Sequence, residues 1–72
     1  MNSFNYNKLK GRIKEKVETQ RNLALKMNTS PTLLSFKLNH KVDFSMNDIY
    51  KMVNILEIPK DEVYDYFFSR FS

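Results

Sequence analysis

Few side chains in this sequence are of the kinds that make and break bonds. There is no cysteine, and His40 is the single imidazole. A zinc site gathers several nitrogen or sulfur ligands around one ion, so His40 would have carboxylates alone beside it. Ser30, Ser35 and Ser45 carry hydroxyls without a credible base to take their protons. The acids Asp61, Glu62 and Asp65 bunch where a helix should begin, and interaction with the helix dipole accounts for them. Gly11 is the only glycine, which excludes the Gly-rich loops that wrap phosphates. The residue types therefore argue against an enzyme and call for no cofactor or metal. What they offer instead is recognition. Pro31, Thr32, Ser35 and Phe36, flanked by Lys37, form the outward set of a helix whose Leu34 and Leu38 face in. Hydroxyls can bond to base edges, a ring can touch a thymine methyl, and a lysine can meet a phosphate. Thr32 and Ser35 accept several bases, so alone they would specify weakly.

Those residues need a short helix held outward, and the segment from Thr19 to Lys41 can supply it. Thr19 can cap a helix over about 20–27, whose Leu23, Ala24 and Met27 form one apolar face. Asn28 and Thr29 interrupt the pattern. Ser30-Pro31 restarts it with a capping hydroxyl followed by the residue that loses nothing at the first helical position. Leu34 and Leu38, one turn apart over about 31–38, can then pack back on Leu23, Ala24 and Met27. Ala24 is small where the two helices must cross. Helix, short turn, helix is the helix-turn-helix plan.

The flanking chain supplies support. Residues 1–6 read as a short arm leading to a cap at Asn5 or Asn7, with Phe4 and Tyr6 packing under the first helix. That helix spans about 7–17, with Leu9, Ile13 and Val17 buried and Lys8, Lys10, Arg12, Lys14 and Lys16 around them. Gly11 inside it costs about 1 kcal/mol against alanine and suggests close approach by another helix. Phe44 should plug the core from the loop that follows the central pair. Ser45 with Asp48 caps a fourth helix over about 46–56, striped by Ile49, Met52, Val53 and Leu56. Ile58-Pro59 breaks it, and a fifth starts near Lys60 or Asp61, with Val63, Tyr66 and Phe67 turned inward. The expected fold is all-α: one compact domain of five helices over residues 1–72.

Within this frame, Thr19-Gln20, Leu23-Ala24, Ser30, Leu34-Ser35 and Asn39-x-Lys41 resemble the helix-turn-helix of lambda-type phage repressors and Cro-like regulators. The run Leu34-Ser35-Phe36-Lys37-Leu38-Asn39 with Phe44-Ser45 is similar to a small, phage-associated subfamily of that group. The likeness covers about residues 5–68. It departs at Asn28 and His40, where such proteins commonly carry glycine. Asn tolerates left-handed backbone best among other residues, and His is enriched there too. The resemblance implies a transcriptional regulator, a Cro-like phage or prophage repressor binding double-stranded DNA. It also implies that Gln20, at the start of the first helix of the pair, meets a phosphate or base edge. Asn39 and Lys41 would touch the backbone from the following loop.

Charge fits that implication. The net charge is +4, but residues 1–41 hold nine Lys/Arg against Glu15 and Glu18, and residues 42–72 hold three against six acids. The first part is thus 9 − 2 = +7 and the second 3 − 6 = −3. A basic surface beside a presentable helix suits nucleic acid. A chain without cysteine or any long apolar run suits the cytoplasm and no membrane. The run Tyr64, Tyr66, Phe67, Phe68, Phe71 holds more aromatic surface than one short helix hides. Pairing of the fifth helix and tail in a homodimer would use it, and would suit a pseudo-palindromic operator with half-sites ~34 Å apart. The alternative folds Phe68 and Phe71 back on Phe4 and Tyr6. A second reading of the whole keeps the fold but not the ligand: Leu25, Leu33 and Phe36 form a surface for a protein partner, as in an antitoxin or adaptor module.

Overall fold

The computed structural model describes residues 4–71. Its elements, in order, are α1 (Asn7–Val17), α2 (Gln20–Met27), α3 (Pro31–Leu38), α4 (Met46–Ile55), a 3₁₀ turn (Lys60–Glu62) and α5 (Val63–Phe67). The expected all-α architecture of five helices is what forms. Of the expected N-terminal arm, residues 1–3 lie outside the described residues. The N-cap residue of α1 is Tyr6, not Asn5 or Asn7, and it makes no side-chain cap bond. Asn5 takes part from one residue earlier, its Oδ1 accepting the Asn7 N–H at 2.9 Å.

The core is assembled from the stripes in the sequence. Leu9, Ile13 and Val17 of α1, Leu23, Ala24 and Met27 of α2, and Leu34 and Leu38 of α3 are buried. Met52, Leu56, Ile58, Tyr66 and Phe67 close it from the C-terminal side. The second helix is the hub, packing on α1, α3 and α4, and fully buried Ala24 permits those approaches. Phe44 plugs the aromatic side as expected, its ring edge-on to both Tyr6 (5.3 Å) and Phe67 (5.9 Å). Gly11 corrects an expectation. A Cβ built there meets nothing within 4 Å, because the residue lies on the exposed side of α1 and no helix approaches it.

Helix ends account for much of the remaining order. Thr19 and Ser30 accept the N–H groups of Asn22 and Leu33, each at 3.0 Å. Ser45 and Asp48 form a reciprocal capping box on α4. At the other ends, Asn28 (φ 58°), His40 (φ 67°) and Glu57 (φ 53°) take left-handed backbone after α2, α3 and α4. The N–H of the next residue then returns to the helix each time: Thr29 to Ala24, Lys41 to Phe36 and Ile58 to Val53, at 2.9–3.0 Å. These are Schellman closures built without glycine. Glu18 ends α1 differently, at φ 73° and ψ −44°, with Thr19 N–H bonded to Val17 O at 2.9 Å. That is the strained hand of the γ-turn.

Arg12 fastens α1 to the end of α4. Its Nε donates to Leu56 O at 2.9 Å and a terminal nitrogen donates to Glu57 O at 2.6 Å. These carbonyls have no partner within the helix, and a guanidinium fork can bond two of them at once. The C-terminal tail returns to the start of the chain. Asn5 N–H bonds to Ser69 O at 2.7 Å, Phe4 and Arg70 form an antiparallel bridge, and Phe68 packs edge-on to Phe4 at 5.6 Å. Phe68 thus takes the folded-back course while staying partly open, and Tyr64 and Phe71 are exposed.

Candidate functional site

The outward face of α3 is positioned by both of its ends. The Ser30 cap and Pro31 set where the helix begins, and the left-handed His40 sets where it stops. His40 is held by its ring, which stacks on Tyr6 with centroids 5.0 Å apart and planes 18° apart. Leu34 and Leu38 anchor the inner side. Pro31, Thr32, Leu33 and Phe36 are left exposed in one short stretch, with Gln20 exposed at the first position of α2.

The side chains singled out in the sequence divide into free and engaged. Gln20, Pro31 and Thr32 face solvent. Phe36 is 42% exposed and Leu33 38%, so the helix presents two large apolar groups as well as hydroxyls. The Lys41 ammonium lies 5.5 Å from the centre of the Phe36 ring, a cation–π approach that holds both at the face. Asn39 is spent within its own helix turn: its Nδ2 donates to Ser35 O at 2.9 Å and to Ser35 Oγ at 3.2 Å. Its φ of −101° also shows that His40, not Asn39, is the left-handed residue.

Lys37 departs furthest from expectation. It is not turned out beside the other candidates but forms an ion pair with Asp48 of α4. Both side chains are largely covered, 14% and 15% exposed. The cause lies in the α4 cap. Asp48 Oδ2 already accepts the Ser45 N–H at 2.9 Å, and the carboxylate at this helix start attracts the ammonium. Burial alone would raise the Asp48 pKa. The hydrogen bonds from Lys37 and from the Ser45 N–H and hydroxyl, with the Lys37 charge, outweigh it and hold the carboxyl below its ordinary value. The capping box was visible in the sequence, whereas a partner eleven residues away on another helix carried no local signal.

Two other cations expected to make a basic surface meet carboxylates at longer range and with more exposure, and one lysine from outside that surface is also engaged. Lys8 approaches Glu62 (3.7 Å) and Asp65 (4.0 Å), and Lys16 approaches Glu57 (3.7 Å). Lys51 donates to Met27 O at 3.2 Å. Lys10, Lys14, Arg21 and Lys26 remain exposed with no ion pair among the described residues. Leu25, also proposed for a partner surface, is 64% exposed on α2. Away from α3 there is a mainly aromatic hollow of about 120 Å³ lined by Phe4, Tyr6, Phe44, Phe67 and Phe68 together with Asp43 and Ile49. No cluster of three metal-ligating side chains occurs among the described residues. No helix among them is long and apolar enough to cross a membrane.

With this geometry in view, comparison with known proteins is informative. The chain is similar to the modulator of repression of the temperate bacteriophage TP901-1 from Lactococcus lactis, known from a solution structure. The two share 41% identity, the match covers 92% of this chain and 89% of that one, and the TM-score is 0.80. No curated protein matches. The phage association drawn from the helix-turn-helix residues is shared by this neighbour, but the matching family is not the Cro-like one. A family profile described as "Protein of unknown function (DUF739)" spans residues 2–70, and the chain belongs to that family.

Proposed function

We propose that this protein regulates phage gene expression by modulating repression, and that the outward face of α3 docks on a protein of the repression machinery. The observation that carries the choice of ligand is the make-up of that face. Leu33 and Phe36 stand exposed on it, and Lys37, the only cation of α3, is turned into Asp48. Exposed apolar and aromatic anchors within a polar surround are the make-up of a protein interface. A helix without a free cation has little to offer phosphates. Similarity along nearly the whole chain to a phage modulator of repression supports the biological setting.

Sequence-specific binding to duplex DNA, as a repressor on its own operator, is the second reading. Gln20, Thr32 and Lys41 favour it, because they stand where a helix-turn-helix meets bases and backbone. Dimer formation through the C-terminal helix and tail belongs with it, and the exposed Tyr64 and Phe71, with the part of Phe68 that stays open, are the surface for such pairing.

Amide chemical shifts distinguish the two. On adding the repressor protein of the phage that carries this gene, signals of residues 31–41 should move and broaden, in 150 mM salt as at low salt. Shifts at 31–41 produced by operator duplex and by no repressor would favour the second reading.

A further inference from the structure

The Lys37–Asp48 pair has a consequence for which ligands α3 can take. Lys37 lies on the flank of the recognition helix, where an extended ammonium would run toward a nucleic-acid backbone. Asp48 prevents this twice over. It neutralises the charge locally, and it holds the side chain folded against the start of α4, where only 14% of it is exposed. The pair is also geometrically set, because the carboxylate that binds Lys37 is the one fixed by the Ser45 N–H (2.9 Å) while Ser45 Oγ holds the Asp48 N–H (3.0 Å). No other cation lies on α3 itself: the Asn39 amide is bonded to Ser35, and the exposed Lys41, over the Phe36 ring, belongs to the turn beyond the helix.

From this we infer that Asp48 is a specificity-determining residue, which sets the helix-turn-helix against duplex DNA by withholding Lys37 from phosphate. The inference rests on reading α3 as the recognition face, and it concerns what that face rejects. Specificity is a difference of affinities, and a charge positioned against the wrong partner is one way to build it.

The test uses the full chain, a 30-base-pair duplex of random sequence, and binding measured by fluorescence anisotropy from 50 to 200 mM KCl. Asp48→Asn keeps an oxygen for the Ser45 N–H but releases Lys37. It should bind the duplex ~10-fold tighter at the low-salt end, with a log–log salt slope steeper by about one, the contribution of one phosphate contact. Asp61→Asn adds the same charge on the 3₁₀ turn and should change neither quantity comparably. The double variant Lys37→Met/Asp48→Asn should return to the wild-type slope. Lys37→Met alone, which decides the matter should Asp48→Asn not fold, should match the wild-type slope.

An Asp48→Asn affinity no greater than that of Asp61→Asn would overturn the inference. So would a Lys37→Met slope shallower by about one, since Lys37 would then already be on phosphate. Neither result touches protein docking by α3, which is read from complex formation with repressor and depends on Leu33 and Phe36.

Discussion

The His40 ring lies stacked on Tyr6, with centroids 5.0 Å apart, although His40 itself sits at φ 67°. The stack and the backbone oppose each other energetically. Left-handed backbone disfavours any residue with a Cβ, and a stacked aromatic pair adds about 0.5–1.5 kcal/mol beyond area burial. His40→Ala loses the ring and keeps the backbone cost, so it should destabilise by about 1–2 kcal/mol. His40→Gly loses the ring but relieves the backbone, so it should melt above the alanine variant. Thermal melts of the two decide it, and alanine at or above glycine would contradict the account.

Two further backbone positions give opposite signs. Gly11 lies in the middle of α1 with open space where a Cβ would be, so Gly11→Ala should stabilise by about 1 kcal/mol. Asn28 is left-handed, at φ 58° and ψ 45°. Asn28→Gly should be neutral or stabilising, whereas Asn28→Val should cost about 1–2 kcal/mol, because a β-branched residue resists that region. Urea unfolding midpoints measure both.

Arg12 should prove a structural residue and not a nucleic-acid contact. Its guanidinium satisfies the carbonyls of Leu56 and Glu57 from α1. Arg12→Met keeps much of the stem and removes the donors, at an expected cost of about 2 kcal/mol. Arg12→Lys should recover only part of this, since a point-like ammonium lacks the fork. Full recovery by lysine in chemical denaturation would show that charge alone matters there.

Acid should act through Asp48. Its carboxyl is held below the ordinary value in the folded chain, the net result of burial, which raises it, and the Lys37 and Ser45 bonds, which lower it further. A group depressed on folding contributes stability that is complete above its unfolded pKa, about 3.9, and is lost as pH falls through the folded value. Wild type should therefore lose stability below about pH 4 more steeply than Asp48→Asn. Parallel stability curves for the two proteins between pH 5 and pH 2 would contradict this.

The sequence made most of the fold legible because its signals are local. The helix bounds at Asn7, Val17, Gln20, Met27, Pro31 and Leu38 follow from caps and apolar spacing within a few residues of each end. Asn28 was readable as left-handed from its type and place. What escaped was fixed by distant partners or by empty space. Gly11 looked like a contact point, but whether a helix approaches depends on the packing of the whole. The commitments of Arg12 to Leu56 and Glu57, and of Lys37 to Asp48, join separate helices and leave no periodic trace. They matter for function, because formal charge along the sequence counts cations that the fold has already used. The candidate face was legible as a set of positions on α3, but its apolar balance was not until Lys37 was seen turned inward.

The tail follows the same logic. Phe68 packs on Phe4 at 5.6 Å, and Arg70 bridges to it, so these groups are engaged within one chain. Phe68→Asp should lower thermal stability by about 1–3 kcal/mol. It should leave the sedimentation coefficient of the folded protein unchanged. A fall from dimer to monomer mass in that variant would instead assign Phe68 to a subunit interface.

The central claim, that α3 docks on protein through its exposed apolar anchors, is tested most directly by calorimetric titration. Wild type and Phe36→Ala would each be titrated with the phage repressor and, separately, with operator duplex, at 50 and 200 mM KCl. Removing a central anchor should weaken the repressor complex by about 2 kcal/mol or more, some 30-fold, at both salt concentrations. Duplex binding should be weak and fall steeply with salt, as sequence-independent attraction does. A repressor that gives no heat with wild type, beside a tight and sequence-dependent duplex complex lost in Phe36→Ala, would contradict the account.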